Sequence, residues 1–226
     1  MPGSMVEFAA NGHRTPGYLA LPPAGKGPAL IVLQEYWGLV PHIIALADRF
    51  ALAGFVSLAP DLYHGEKTTS PDEADKLLMA LDIDRAGKDM RGAADFLLAH
   101  PAVTSKKAGI LGFCMGGQLA LYAGMQHPDR IVAVVDFYGI HPKVAIVPSR
   151  VRVPVLGHFG SHDSGVPVDT VRELAQAVQR SGGSFTAHFY DTGHAFFNDT
   201  RPQRYSKADA ELAWTRTLTF LKENVK

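Results

Sequence analysis

The sequence predicts an α/β protein: a mostly parallel, twisted sheet with helices on both faces, entered through an antiparallel hairpin. Three observations carry this. Apolar runs of strand length alternate with stretches whose apolar residues recur at helical spacing, the order that builds parallel βαβ units. The run at 29–33 is continuous rather than alternating, as expected of a strand covered on both faces. Polar residues collect just past the ends of several strands, where open α/β sheets gather their ligands.

Residues 6–10 and 17–21 flank Asn11-Gly12, a strong hairpin signal. The proline- and glycine-rich stretch from Pro22 to Pro28 breaks the pattern, and the strand at 29–33 then ends in Gln34-Glu35-Tyr36-Trp37-Gly38. Ile43, Ile44, Ala47, Phe50 and Ala51 mark a helix over 42–53, stopped by Gly54. A strand at 55–59 closes in Pro60-Asp61-Leu62-Tyr63-His64-Gly65. Residues 66–84 are acidic and less regular, predicting a loop with a short helix near 72–81. A firmer helix over 86–100 aligns Met90, Ala93, Ala94 and Leu97 and ends at Pro101. A strand at 108–113 runs into a helix over 115–125, and two more strands follow at 131–137 and 153–159. The chain closes with a helix at 168–180, a Gly182-Gly183 turn, a strand at 185–190 and a helix over 204–221. That last helix is predicted to turn Ala208, Leu212 and Leu218 inward.

With 226 residues, 46% of them apolar, the chain is long enough for one sizeable core, so a single domain is expected over 5–226. Residues 1–4 are expected to be a disordered or appended lead. Lys and Arg balance Asp and Glu at 22 each, so no charge excess points to nucleic acid or an anionic membrane. One cysteine cannot form an internal disulfide, and no apolar run approaches membrane-spanning length. The expectation is a soluble cytoplasmic protein, a monomer or weak homo-oligomer, with no nucleic-acid or membrane partner.

The chemistry is expected at the stretch from Gly109 to Ala120, a buried strand running into a helix with Cys114 at the corner. Gly112-Phe113-Cys114-Met115-Gly116 has the G-x-S-x-G form of a nucleophile elbow with sulfur in place of the hydroxyl, and glycines remove the Cβ atoms that would clash in so sharp a turn. The first N–H groups of the new helix then lie beside the sulfur, where they favour thiolate and a developing oxyanion. A buried cysteine before a glycine-rich helix would share this short motif, so the rest of the chain must decide. Two later strand ends supply what a cysteine nucleophile needs: Asp163 within Gly160-Ser161-His162-Asp163, and His194 within Gly193-His194-Ala195-Phe196. The order nucleophile, acid, histidine is discriminating, because cysteine proteases of the papain type and the serine proteases arrange theirs differently. His194 would take the thiol proton and Asp163 would hold its imidazole in the right tautomer. A metal site from His158, His162 and Asp163 is not expected, since the two histidines are four apart across a strand end rather than on one helical face. No cofactor is called for.

These motifs, together with Gln34-Glu35-Tyr36-Trp37-Gly38, Pro60-Asp61-Leu62-Tyr63 and His162-Asp163-Ser164-Gly165-Val166-Pro167, make the chain resemble the dienelactone hydrolase (carboxymethylenebutenolidase) family of the α/β-hydrolase fold from about Gly17 to Leu221. The resemblance implies that Glu35 lies beside the cysteine and takes part in its activation, and that the backbone N–H groups of Tyr36 and Met115 form the oxyanion hole. Trp37, Tyr63, Tyr138 and Phe196 fall near the same strand ends and are expected to line the pocket. Two departures stand out. The family's carboxylate-binding arginine and tyrosine are absent from the stretch Pro71 to Lys76, and a second arginine after the histidine is here Asn198. Arg201 and Arg85 could compensate, but surface roles are expected for both.

Thiolate leaves a tetrahedral intermediate more easily than an alkoxide does, so a cysteine elbow should prefer enol lactones, aryl esters or thioesters to simple alkyl esters. The expected activity is hydrolysis of small-molecule activated esters or enol lactones through a thioester. A thioesterase or general carboxylesterase on the same triad is the alternative, and a non-catalytic binding protein of this fold the more distant one.

Overall fold

The structure, a computed structural model, describes residues 3–226. Asn11 and Gly12 both adopt positive φ, 51° and 78°, the pair of left-handed conformations a type I′ turn requires. They join β1 (Ser4–Ala10) and β2 (His13–Ala20) in a tight antiparallel hairpin with Ala10 opposite His13. β2 pairs antiparallel with β4 (Val56–Pro60). From there every pairing is parallel, through β3 (Ala29–Leu33), β5 (Ala108–Phe113), β6 (Ile131–Phe137), β7 (Val155–Gly160) and β8 (Phe185–Tyr190). The order across the sheet is β1-β2-β4-β3-β5-β6-β7-β8. The chain winds outward from β3 to β4, then crosses back to β5 and winds the other way, which makes the β3/β5 boundary a topological switch point. In such sheets the crevice beyond the carboxyl ends of those two strands is the natural ligand site. Glu35 follows β3 and Cys114 follows β5.

The two-residue period of the strands sorts their side chains into two cores. Leu30, Val32, Leu111 and Val135 meet α1 (Pro41–Leu52) and α6 (Lys207–Asn224) on one face. Ile31, Ile110 and Val134 meet α3 (Ile83–Ala99), α4 (Met115–Gln126) and α5 (Val168–Arg180) on the other. Each fully buried aliphatic side chain contributes about 1.5–3 kcal/mol relative to exposure, so the central strands are held from both sides. α2 (Pro71–Ala80) differs: it buries only Ala74 and lies over the sheet's carboxyl edge. No helix among the described residues is long and apolar enough to cross a membrane.

Three expectations change. In α6 the inward face is Ala210, Ala213, Thr217 and Leu221, while Ala208 is exposed and Leu212 is 45% exposed. At roughly 100° per residue, position 212 falls almost opposite 210, so small residues at the true contact let the helix sit close and outweigh the pull of one leucine. Helix α3 starts three residues before the expected position because the Asp82 side chain accepts the Arg85 N–H (3.0 Å) and caps it. Ser4, expected in a disordered or appended lead, is the first residue of β1 and pairs with Leu19; Met1 and Pro2 lie outside the described residues.

Candidate active site

Cys114 occupies the N-cap of α4 with φ 52° and ψ −120°, a conformation that costs a non-glycine residue about 1–3 kcal/mol. Its surroundings hold it there. The Cys114 N–H donates to the Phe137 carbonyl (3.0 Å), and its own carbonyl accepts from Gly117 (2.9 Å) and Ile140 (3.2 Å). A Cβ on Gly112 would stand 2.1 Å from the Gly116 carbonyl oxygen, and one on Gly116 2.5 Å from that of Gln34. Both glycines are therefore demanded by backbone packed against backbone, and the turn leaves the sulfur half-buried at the top of the sheet.

Past the end of β7, the Asp163 carboxylate accepts the N–H groups of Gly165 (2.9 Å) and Val166 (3.2 Å) on one oxygen. Its other oxygen meets His194 Nδ1 at 2.6 Å, from the turn after β8. Burial works against the Asp163 charge, but the bond from His194 and the two backbone donors outweigh it and hold the carboxyl below its usual range. Burial also opposes a charge on His194; its hydrogen bonds to Asp163 and Cys114, and the charges of both, outweigh that and push it up to about 10. Nδ1 is engaged by Asp163, which leaves Nε2 for the sulfur. Cys114, His194 and Asp163 thus come from the ends of β5, β8 and β7 and meet at one point.

Glu35 is 3% exposed. Burial raises its pKa, opposed by the charges of His194 and Arg201 and by the Asn198 amide, which donates to Oε2 at 2.9 Å. Asn198 is itself oriented: its carbonyl oxygen accepts the Thr200 N–H (3.1 Å) and hydroxyl (2.6 Å). Among the described residues the N–H groups of Tyr36 and Met115 have no backbone acceptor, and both residues flank the crevice over the switch point.

A cavity of about 400 Å³ opens here, with Glu35, Trp37, Cys114, His194 and Arg201 in its wall and Asp75 and Leu78 of α2 across its mouth. The structure brings Cys114, Asp163, His194, Glu35, Tyr36 and Trp37 together. It does not bring Tyr63, Tyr138 and Phe196 to the cavity wall, and their expected pocket role is corrected. Tyr138, fully buried with φ 42°, turns beneath the site and meets the His194 ring edge-on at 5.0 Å, while Phe196 packs behind it. Tyr63 points into the core, where its hydroxyl donates to Met115 Sδ (3.1 Å). Position near a strand end sets the neighbourhood of a side chain; the local φ sets which way it faces.

Arg201 reverses its expectation as well. Its guanidinium lies 4.0 Å from the Trp37 ring centre and in the cavity wall, with Arg204 beside it. Arg85 stays away from this cavity. The sequence brought both forward only through the family pattern, Asn198 as a departure from it and Arg201 as a nearby substitute; the contacts of Asn198 with Glu35 and of Arg201 with Trp37 are not written in it. His158 is bonded to Tyr190 (2.8 Å) and Thr217 (3.0 Å) within the core, while exposed His162 pairs with Asp191 (2.6 Å).

A glycine-flanked corner at Cys114 on the switch point of this sheet, with Asp163 and His194 following in chain order, has the layout of the α/β-hydrolase fold. Comparison with known proteins narrows the class. The family model of the dienelactone hydrolases matches residues 15–225, and the chain belongs to that family, whose members act on ester and lactone bonds. It is 37% identical over 228 residues to the protein usf of Aquifex pyrophilus, covering 98% of each chain. It is 32% identical to a Bradyrhizobium protein named "Probable 2-oxo-3-(5-oxofuran-2-ylidene)propanoate lactonase", covering 96% of this chain and 92% of the other. A crystal structure of a candidate dienelactone hydrolase from Klebsiella pneumoniae superposes with a TM-score of 0.87 at 27% identity, covering 97% and 98% of the two chains.

Proposed function

We propose that this enzyme hydrolyses activated esters or enol lactones through a thioester on Cys114, with His194 as base and acid and Asp163 as its anchor. The observation that carries this reading is the 2.6 Å Asp163–His194 bond beside a cysteine held at positive φ on a glycine-flanked corner. The Asp163 carboxylate on Nδ1 favours the protonated imidazole that forms when Nε2 takes the thiol proton. Sγ adds to the acyl carbon, and the carbonyl oxygen takes up the negative charge in front of the Tyr36 and Met115 N–H groups. Collapse breaks the acyl carbon–oxygen bond while His194 returns the proton to the departing oxygen. Water, deprotonated by His194, then adds to the thioester carbon; sulfur leaves, recovers its proton from His194, and the acid is released. No step requires a cofactor.

Glu35 takes part by its charge. A buried carboxylate near the sulfur disfavours a second anion in the empty site, and a substrate that displaces it from that position lifts the opposition. Arg201, beside Trp37 in the cavity wall, adds a preference for substrates bearing a carboxylate. The test is hydrolysis of an aryl acetate, an acyl thioester and an enol lactone by wild type and Cys114→Ala, with mass spectrometry of the acyl-enzyme. Loss of activity and adduct together in the mutant is expected. A mutant with full activity would refute the nucleophile, and a thioester rate far above the other two would favour the thioesterase alternative.

A further inference from the structure

A second group of ligating side chains converges away from the cavity. His13 opens β2, His64 lies in the turn after β4, and Asp89 projects from α3. His64 Nε2 is 2.9 Å from one Asp89 oxygen and His13 Nε2 is 3.4 Å from the other. One donor atom from each residue lies within 4.8 Å of the other two, and Asp89 is fully buried. A tetrahedral ion bonded at about 2.1 Å to each of its ligands spaces the ligand atoms roughly 3.4 Å apart. His13 stands at that spacing from Asp89 and His64 is closer, at 2.9 Å.

The hydrogen-bond pattern says which atoms hold lone pairs. His13 Nδ1 lies 3.2 Å from the Asn11 carbonyl oxygen, which only accepts, so Nδ1 carries the hydrogen. The Arg85 guanidinium, which only donates, approaches Nε2 of the same ring at 3.5 Å. Nε2 therefore holds the ring's one lone pair, 3.4 Å from the Asp89 carboxylate; Arg85 meets it here, and a metal ion bound to it would take the place of Arg85. The outer contacts have the form that orients metal ligands: a backbone carbonyl on the far nitrogen of His13, and the Thr15 hydroxyl on Asp89 Oδ1 at 3.4 Å. A cavity of about 280 Å³ is lined by His64 and Arg85, so water reaches this side of the cluster. Arg85 opposes a cation by its charge and is exposed, so binding would turn its guanidinium outward to solvent.

We propose that His13, His64 and Asp89 form a site for one divalent transition-metal ion of the zinc type, completed by water. The ion would tie the hairpin, the β4 turn and α3 together. Tyr63, bonded to Met115 at the elbow, is the neighbour of His64, so the tie lies one residue from the cysteine corner.

The test is titration of the metal-stripped full chain with Co²⁺, read by visible absorption, together with thermal melting in Zn²⁺. Wild type and Cys114→Ala should each bind one Co²⁺ with the spectrum of a nitrogen–oxygen tetrahedral site and melt several degrees higher in Zn²⁺. His13→Ala, at a partly exposed position, and His64→Asn, which suits the left-handed backbone there (φ 53°), should lose both effects. The proposal is overturned if wild type binds no Co²⁺ at micromolar concentrations, if His13→Ala binds it equally, or if Cys114→Ala abolishes it.

Discussion

His194 with Asp163 and His64 with Asp89 are nearly the same pair: an imidazole nitrogen 2.6 or 2.9 Å from a buried carboxylate, each in a loop beyond the carboxyl end of a strand. Their surroundings give them different work. His194 spends Nδ1 on its aspartate, so Nε2 is left for a sulfur that backbone N–H groups flank. His64 spends Nε2 itself, and what shares its carboxylate is a second histidine. A histidine–aspartate pair is thus set up for proton transfer only where the other ring nitrogen meets a nucleophile.

The sharpest way to break the contrast is Asp163→Asn, which keeps the shape but supports the wrong tautomer of His194. A fall in kcat on the order of 10⁴-fold is expected, measured on an aryl acetate against wild type. Removing Asp89 from the other cluster should have no such effect on the chemical step.

The pH dependence of stability follows from the same pair. His194 is raised above its ordinary value, so its contribution to folding is complete below the unfolded pKa and is lost as pH rises through about 10. Asp163 is lowered, so its contribution is present above the unfolded carboxylate pKa and is lost as pH falls through the folded value. Urea melts across pH should show the stability gap between wild type and Asp163→Asn as a plateau that closes at both ends. A gap that widens in alkali would contradict this assignment.

Two smaller effects sharpen it further. Arg201→Gln should raise KM by about tenfold for a carboxylate-bearing ester, in line with the strength of a charged hydrogen bond, and leave a neutral ester unaffected. His13→Ala, assayed without added metal, should change kcat/KM by no more than about twofold, since the cluster sits outside the reacting cavity.

The architecture was legible because its signals are local and repetitive. The continuous run at 29–33 and the Asn11-Gly12 turn each report their own backbone, and the mostly parallel sheet follows from the alternation of strands with helices, whereas the strand order came only with the structure. The failures are as instructive. Leu212 looked like a core residue by type, yet helix phase puts it outward. Tyr138 and Phe196 had the right address, but the backbone turned both rings beneath the site.

By itself, the sequence determined the α/β alternation, the glycine-flanked corner at Cys114 and the chain order of cysteine, aspartate and histidine, because each depends on neighbours a few residues apart or on order alone. Only the tertiary structure decided that Asn198 donates to Glu35 across 163 positions, that Arg201 covers Trp37, and that His13, His64 and Asp89 converge. Those contacts join elements that meet only when the sheet is assembled, and their geometry lies in turn dihedrals and helix phase, which no local pattern encodes.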